Sequence, residues 1–349
     1  MAIIKHLNVD EYGAYIGKYS QRLKVTKKGE TLVQAPLLHL ETVTVANRAV
    51  SISAAAVQEC TQRGIPIHFI SGIGTPYASL YSAGLTGTVA TRRAQLMAYY
   101  DSRAISIVLA FGVGKLHNQS AFLKYMSKYR KETDPDLYDM LRLRAAEIMD
   151  CAIELESIRD YPEVRAGEAS IEDLRAEMMG LEGRAARLYW GAIGEVVPPS
   201  YHFEKRTGRG ASDPVNSALN YGYGILYGEV ERALVLAGLD PYAGFLHVDR
   251  PGKPSLTLDF IEEFRQPVVD RTVVGMANKN MAFDLDDRSL LTKSTRKTLA
   301  GKVIDRLEKP ARYEGKRYPL RAVIQKQARH LATYLRGERG EYEPFSMKW

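Results

Sequence analysis

The chain has 349 residues, of which 45% are apolar and 26% charged, a composition typical of one or two globular domains and not of a disordered chain. Its two cysteines, Cys60 and Cys151, are too few for a disulfide framework or a four-cysteine zinc site. The longest apolar run, residues 105–113, is far shorter than the ~20 residues of a membrane helix, and no signal segment is recognisable. We therefore expect a cytoplasmic protein with no membrane partner.

The positive charge is concentrated near the end of the sequence. Residues 288–349 carry 16 lysines and arginines against 6 aspartates and glutamates, whereas the rest of the chain carries 32 and 35. A basic segment beside a slightly acidic body indicates an anionic partner, most commonly nucleic acid. A solvated helical face would give the same pattern, and charge alone leaves both interpretations open.

The first 85 residues show the period-two alternation of β-strands. Strands are predicted over residues 22–26, 31–33, 42–45, 67–70 and 77–81. Lys27, Lys28 and Gly29 predict a turn between the first two of them. One helix is predicted over residues 53–63, because Gly64 is a typical helix stop.

From Thr91 onward the apolar spacing becomes helical and is predicted to stay so to the end of the chain. Helices are predicted over residues 92–109, 120–129 and 135–159. The change of period predicts an α+β protein with a boundary between residues 82 and 92. We expect a β-rich domain of residues 1–85 followed by a larger helical domain of residues 86–349.

A carboxylate borders the apolar face of the next predicted helix, which residues 170–173 open as a capping box. The apolar stripe consists of Leu174, Met178, Leu181, Ala185 and Leu188. Glu182 lies beside this stripe, where its desolvation is costly unless a cation or a hydrogen-bond donor meets it. Gly183 lowers helix propensity and suggests a close approach to the backbone. The alternative is an ordinary glutamate at the rim, paired with Arg184 or Arg187.

A second acidic group lies on a helix predicted to begin at about Ser255. Asp259 and Glu262 are three residues apart and so project to the same side, although Glu263 could compete for the role. His247 precedes this helix. Oxygen ligands with one nitrogen suit Mg²⁺ or Mn²⁺ better than structural zinc. Such pairs are common, however, and a histidine at the start of a helix is often structural.

The loop of residues 203–216 carries three basic side chains on a glycine-containing segment. Lys205, Arg206 and Arg209 could contact phosphates there without reading bases.

Several segments occur together in the order of one family. They are residues 180–189, 212–216, 237–241, 244–247 and 255–265, with residues 63–71 and 92–95 matching its β domain and the junction with the helices. On these residues the chain resembles the CRISPR-associated protein one family, the integrase of the CRISPR spacer-acquisition complex. The resemblance covers essentially the whole sequence.

The resemblance implies a homodimer with an N-terminal β domain for dimerisation and partner contacts, and a helical domain that binds a divalent metal. The metal ligands that it implies are Glu182, His247 and Glu262, with Asp259 as a supporting carboxylate. The last ligand is an aspartate in some members of the family and a glutamate here. Glu182, His247, Asp259 and Glu262 would together form the catalytic set.

The activity implied is that of a metal-dependent DNA integrase and endonuclease using Mg²⁺ or Mn²⁺. The 3′-hydroxyl of a DNA fragment would attack a phosphodiester of the CRISPR repeat, and attack by water would give cleavage instead. The expected partners are double-stranded DNA, as spacer precursor and repeat, and CRISPR-associated protein two, bridging two dimers. The expected DNA contacts are Lys205, Arg206, Arg209, Arg288, Lys293, Arg296 and Lys297, within a basic track that continues through Lys302, Arg306, Arg312, Lys316, Arg317 and Arg321.

Two other functions compete with this interpretation. One is a metal-dependent nuclease that processes branched DNA in repair, and the other is a non-catalytic scaffold that holds DNA for a partner. An integrase joins a 3′-hydroxyl fragment to a repeat, whereas a repair nuclease only cleaves junctions. A catalytic protein loses strand joining in a Glu182→Ala variant, whereas a scaffold does not depend on that residue.

Overall fold

The computed structural model describes residues 4–71, 76–81, 89–128, 130–208 and 210–349. Its contacts divide the chain into two units, Met1–Thr86 and Gly87–Trp349. The first is rich in strands and the second mostly helical, so the predicted α+β class is confirmed.

The described residues of the first unit form two four-stranded sheets and one helix. Its elements are β1 (His6–Val9), β2 (Tyr15–Tyr19), β3 (Arg22–Lys27), β4 (Glu30–Pro36), β5 (Thr42–Val45), β6 (Ser51–Ile52), α1 (Ala54–Gln62), β7 (Ile67–Ile70) and β8 (Pro76–Leu80). The strand orders are β4-β3-β2-β6 and β1-β5-β7-β8. β3 is antiparallel to both of its neighbours, whereas β1, β5 and β7 run parallel.

Local signals explain most of this unit. Leu23 and Val25 alternate with exposed or half-buried residues and point into its core. Lys28 and Gly29 form the turn between β3 and β4 with φ of 49° and 88°, a left-handed backbone that glycine adopts without strain. The side chain of Ser53 caps α1 by accepting the Ala56 N–H at 3.1 Å. The predicted strands and helix are all found, and β1, β2 and β6 were missed.

The second unit is built around α3. Its elements are α2 (Val89–Ala98), α3 (Ser102–Ser127), α4 (Pro135–Ser157), α5 (Pro162–Arg165), α6 (Ile171–Val196), α7 (Pro214–Leu236), α8 (Ser255–Phe260), α9 (Arg271–Ala277), α10 (Lys293–Leu307), β9 (Pro310–Tyr313), β10 (Lys316–Pro319) and α11 (Leu320–Leu335). α3 packs against α4, α6 and the segment that follows α8. That segment is a 3₁₀ turn, Ile261–Glu263, and a π-helical stretch, Arg265–Asp270.

Three predictions for this unit were wrong. The helix predicted over residues 120–129 is not a separate element, because residues 110–119 are also helical and α3 runs without a break from Ser102 to Ser127. The helix predicted over residues 92–109 breaks between α2 and α3, because Asp101 caps a new helix by accepting the Arg103 N–H at 2.9 Å. The chain is also not helical to its end, since β9 and β10 form an antiparallel hairpin. No single helix of the described residues is long and apolar enough to cross a membrane. The pair α2 and α3 has the necessary length and composition only when taken together, and it is bent by 90° at the break between them.

The last residues of the chain are folded into this unit. Asn118 on α3 donates to the Phe345 carbonyl at 2.8 Å and accepts the Met347 N–H at 2.7 Å. Tyr342, Phe345 and Met347 are buried. The C-terminal segment therefore closes the core beside α3.

Candidate active site

Glu182 is positioned by α6 and faces α3. α6 begins with the predicted capping box, in which Asp173 accepts the Ser170 N–H at 2.9 Å. The side chain of Glu182 is 14% exposed. The prediction for Gly183 was wrong, because a Cβ there would meet nothing within 4 Å. The close approach occurs on α3, where a Cβ at Gly112 would lie 3.3 Å from Glu182 Oε1.

The cation that meets Glu182 is Lys115, one turn along α3 from Gly112. Its Nζ donates to Glu182 Oε2 at 2.9 Å and lies 3.1 Å from Glu262 Oε2. Burial disfavours an ammonium, but the two carboxylates outweigh that effect and hold the pKa of Lys115 above its ordinary value. One buried cation therefore joins two predicted site residues from different elements.

Glu262 is held by two cations. Lys115 lies at one carboxylate oxygen and Arg265 at the other, with Arg265 Nε 3.0 Å from Glu262 Oε1. Burial alone would raise the pKa of Glu262, but the positive charges of Arg265 and Lys115 prevail and lower it to about 2. Glu262 is therefore a carboxylate at neutral pH.

Asp259 forms a second group with His247. Its buried carboxylate accepts the backbone N–H groups of Phe245 and Leu246 at 2.7 and 3.1 Å and that of His247 at 3.1 Å. The Nδ1 of His247 lies 2.5 Å from Asp259 Oδ1. Gly244 permits this turn to pack on α8, because a Cβ there would come within 2.6 Å of the Ser255 backbone. Asp259 thus fixes both the loop and the imidazole ring.

The structure brings the four predicted catalytic residues together as two pairs. Glu182 and Glu262 share Lys115, and His247 is bound to Asp259. Glu262 lies close enough to His247 for the two side chains to interact electrostatically. In the part of the chain that the structure describes, the donor atoms of Glu182, His247 and Glu262 are not all within 4.8 Å of one another. The two glutamates are linked by Lys115, and they do not share a ligand sphere with His247.

Glu263, the competing carboxylate, lies elsewhere. Its carboxylate accepts from the Phe345 N–H at 2.6 Å, from Tyr342 Oη and from Gln327 Nε2 at 3.0 Å. Burial raises the pKa of Glu263 to about 7, in spite of these hydrogen bonds. Glu263 therefore binds the C-terminal segment to the core.

The predicted basic residues differ in their surroundings. Lys205, Arg288, Lys293 and Lys297 are exposed, Arg296 is half-buried, and Arg209 lies outside the described residues. Arg206 is held inside its loop, because it donates to Asn216 and Asn220 and covers the rings of Trp190 and Tyr223.

Two members of the longer basic track are engaged in the fold, Arg321 buried and Arg306 half-buried. Arg321 is buried in ion pairs with Glu229 and Glu308. Arg306 donates to the Pro267 carbonyl at 2.7 Å and packs over Trp349, and burial lowers its pKa to about 10. These two arginines stabilise the fold, so we no longer expect them to contact DNA.

Sequence reasoning missed three residues that shape the site. Lys115 could have been noticed, because it is the one charged residue within the apolar residues 104–116 of α3. Arg265 lies three residues after Glu262, but we predicted no role for it from the sequence. Arg175 on α6 donates to the carbonyls of Leu246 and Phe245 at 2.9 and 3.2 Å and so supports the histidine loop from the other side.

Comparison with known proteins decides the family. The profile of the family described as "CRISPR associated protein Cas1" matches residues 7–304. A protein of Archaeoglobus fulgidus named CRISPR-associated endonuclease Cas1 1 is 36% identical over 354 residues, covering 98% of this chain and 99% of the relative. The chain belongs to the Cas1 family. This is the family of the resemblance, and the predictions of the family and of a nuclease-class enzyme are confirmed.

Solved structures share the fold. A structure described as a casposase bound to integration product aligns with a TM-score of 0.80 at 22% identity, covering 97% of this chain and 93% of the other. The Cas6-RT-Cas1–Cas2 complex aligns with a TM-score of 0.76 at 21% identity, covering 99% of this chain and 37% of the larger one. Both likenesses extend over nearly the whole chain.

Proposed function

We propose that this Cas1-family enzyme is a divalent-cation-dependent DNA integrase that inserts DNA fragments into a CRISPR repeat. The observation that carries the proposal is a pair of carboxylates, the half-buried Glu182 and the buried Glu262, each with an oxygen within 3.1 Å of one cationic nitrogen. Two glutamates that converge on one cation in a largely buried position supply the negative charge that a divalent metal ion would need, and this supports the proposal.

The residues present are suited to Mg²⁺ or Mn²⁺. Both glutamates offer hard oxygen donors, and Glu262 Oε2 is a buried oxygen that faces the Lys115 ammonium at 3.1 Å. His247 would add one nitrogen, because Asp259 engages Nδ1 and leaves Nε2 as the ligand atom. We therefore propose that Glu182, Glu262 and His247 would hold the cation, with their donor atoms drawn closer together than the structure has them.

The reaction conserves the number of phosphodiester bonds. The 3′-hydroxyl of the fragment loses its proton as its oxygen bonds to a repeat phosphorus, the bond from that phosphorus to the repeat's own 3′-oxygen breaks, and the departing oxygen takes up a proton. A bound divalent cation supplies stabilisation of the charge that develops on the phosphoryl oxygens. Glu182 and Glu262 supply the negative charge that holds it, and Asp259 keeps the His247 ring in one orientation.

The relatives support this proposal. The relative from Archaeoglobus fulgidus is named an endonuclease, and a neighbour of the same fold is described with an integration product bound. Attack by water in place of the 3′-hydroxyl would give the endonuclease reaction at the same site. One set of carboxylates would therefore serve both reactions.

A fragment-joining assay tests the proposal. Purified protein, Mn²⁺, a fragment with free 3′-hydroxyls and a repeat-containing duplex should give joined strands, and Glu182→Gln should abolish joining while DNA affinity is retained. Glu195→Gln, an exposed change on the same helix, is the matched control. Cleavage of branched DNA without joining would favour the repair nuclease, and a fully active Glu182→Gln variant would support the scaffold.

Exposed basic residues near the end of the chain are proposed to follow the DNA backbone. Arg312 and Arg317 lie directly opposite each other in the β9–β10 hairpin, and like charges at such positions destabilise a hairpin unless an anion lies between or beside them. Lys293 and Lys297 are exposed on α10, and Lys205 lies in the earlier loop. These side chains suit sequence-independent contact with phosphates.

The salt dependence of DNA binding tests this assignment. Each lost phosphate contact should reduce the slope of log affinity against log salt by about 0.9. The double variant Arg312→Gln, Arg317→Gln should therefore reduce it by about 2. Lys131→Gln, at an exposed lysine outside the proposed surface, should leave the slope unchanged. An unaltered slope in the double variant would remove the hairpin from the DNA-binding surface.

The remaining proposals concern partners. We expect a homodimer formed through the first unit, which exposes Tyr12, Tyr19 and Leu38 at 73%, 59% and 81%. A complex with CRISPR-associated protein two is proposed because a neighbour of the same fold is described as a Cas1–Cas2 complex. Light scattering of the protein, alone and with that partner, tests both assemblies, and a Tyr19→Lys, Leu38→Lys variant should be monomeric.

A further inference from the structure

Lys115 occupies the position between the two proposed metal-binding glutamates. It comes from α3, Glu182 from α6 and Glu262 from the 3₁₀ turn after α8, so three separate elements converge on one ammonium. Its Nζ lies 2.9 Å from Glu182 Oε2 and 3.1 Å from Glu262 Oε2, and its side chain is only 15% exposed.

The group is already neutral without a metal ion. Lys115 and Arg265 carry two positive charges, and Glu182 and Glu262 carry two negative ones. Adding a divalent cation to this set would place two further positive charges beside a buried ammonium. Repulsion between such charges is strong where water is largely excluded. The metal ion and the Lys115 ammonium therefore compete for the same carboxylate oxygens.

We infer that Lys115 is a displaceable cation that holds Glu182 and Glu262 in place in the metal-free enzyme and must leave both carboxylates for a divalent ion to bind. The inference rests on the proposed function, because it takes these glutamates as the metal site. A lysine can make this movement, since its ammonium sits on a flexible four-carbon chain, whereas Arg265 is held over the ring of Tyr223.

A variant that lacks the positive charge of Lys115 should differ from the wild type in two ways, in the stability of the protein and in its affinity for a divalent ion. Without the ammonium, Glu182 would lose its cation and face a Glu262 that only Arg265 still pairs, and the metal-free protein would lose stability. The same carboxylates would then bind a divalent ion without first releasing a cation, so the affinity for the ion would rise. A purely structural lysine would give the first effect without the second.

Manganese binding to the full chain in the absence of DNA measures the second effect. Free Mn²⁺ is followed by electron paramagnetic resonance in the wild type and in Lys115→Met, Lys115→Arg and Lys124→Met. Lys115→Met should lower the dissociation constant by about tenfold or more. Lys115→Arg, which keeps the charge, and Lys124→Met, a change at an exposed lysine of the same helix, should not lower it.

A second measurement uses the unaltered protein and does not depend on a variant that folds. Acetylation of lysines, read by mass spectrometry, should find Lys115 protected in the metal-free protein and more reactive with saturating Mn²⁺. Lys124 should react equally in both states. Reactivity of Lys115 that stays the same or falls with Mn²⁺ would overturn the inference, as would a Lys115→Met variant that binds Mn²⁺ no tighter than the wild type.

Failure of the underlying proposal has a different signature. Glu182→Gln should abolish the Mn²⁺ binding that the wild type shows. If this variant binds Mn²⁺ as the wild type does, the metal lies elsewhere and the proposed site is wrong. If Glu182→Gln loses Mn²⁺ binding and Lys115 becomes more reactive when Mn²⁺ binds to the wild type, the site and the inference both stand. If Glu182→Gln loses Mn²⁺ binding but the reactivity of Lys115 does not rise with Mn²⁺, only the inference fails.

Discussion

Substitution of Asp259 by asparagine tests how one buried carboxylate organises the site. The two oxygens of Asp259 face four polar groups: the N–H groups of Phe245 and Leu246 at Oδ2, and the N–H and Nδ1 of His247 at Oδ1. An asparagine keeps one oxygen and places an NH₂ group where the other was. Whichever way it is oriented, at least one backbone N–H loses its acceptor.

The expected loss of stability follows from that count. A hydrogen bond to a charged group contributes about 1.5–3 kcal/mol, and the substitution removes one or two of them. The free energy of unfolding of Asp259→Asn should therefore fall by about 2–4 kcal/mol. Asp249→Asn, the same chemical change at an exposed position two residues after His247, should alter it by less than about 0.5 kcal/mol.

Urea unfolding measures these changes, and nitrogen-15 spectra of His247 add a readout that a loss of packing would not produce. With an NH₂ group opposite, Nδ1 becomes an acceptor and the ring proton moves to Nε2, which can then no longer bind a metal ion. A loss below about 1 kcal/mol, together with an unchanged tautomer, would refute the role given to Asp259.

Four further outcomes are expected. Gly244→Ala should cost at least about 2 kcal/mol in thermal or chemical unfolding, because its Cβ would lie 2.6 Å from the Ser255 backbone; a smaller loss would contradict the packing described. Gly183→Ala should stabilise the protein by up to about 1 kcal/mol, since nothing lies within 4 Å of its Cβ; destabilisation would reveal a contact that the structure lacks. Gly112→Ala should weaken Mn²⁺ binding in a titration, because its Cβ would press on Leu155 at 2.6 Å and on Glu182 at 3.3 Å; unchanged affinity would refute that coupling. Burial raises the pKa of the Cys60 thiol to about 11, so iodoacetamide should label it in urea and not in the native protein, and equal labelling would show that the site is open.

The first unit could be predicted from the sequence because its signals are local. β3, β5 and β7 alternate or are rich in β-branched residues, and a turn with Gly29 joins β3 to β4. In the second unit, the capping box of α6 likewise needs only residues 170–173. Patterns confined to a few residues specify such elements, whatever the rest of the chain does.

Elements whose ends depend on tertiary packing were predicted less well. The apolar spacing runs through the break between α2 and α3, and only the cap at Asp101 marks it. The β9–β10 hairpin is short and strongly basic, so it carries no apolar alternation that would distinguish it from a helix. The strand β6 has two residues and exists only because it pairs with β2.

The residues of the site also divide into those that could be predicted and those that could not. Resemblance to the family named Glu182, His247, Asp259 and Glu262, each of which the structure places in one of two adjoining pairs. The cation between the glutamates escaped notice, since Lys115 lies 67 residues before Glu182 in the sequence and only the fold brings the two together. No local pattern predicts a contact of that range.

The most direct test of the whole account is anomalous scattering from crystals of the protein soaked in Mn²⁺. We expect a manganese peak bound by the carboxylates of Glu182 and Glu262, with the Lys115 ammonium moved away from both. A strong peak elsewhere in the molecule, with Lys115 still joining the two glutamates, would contradict it.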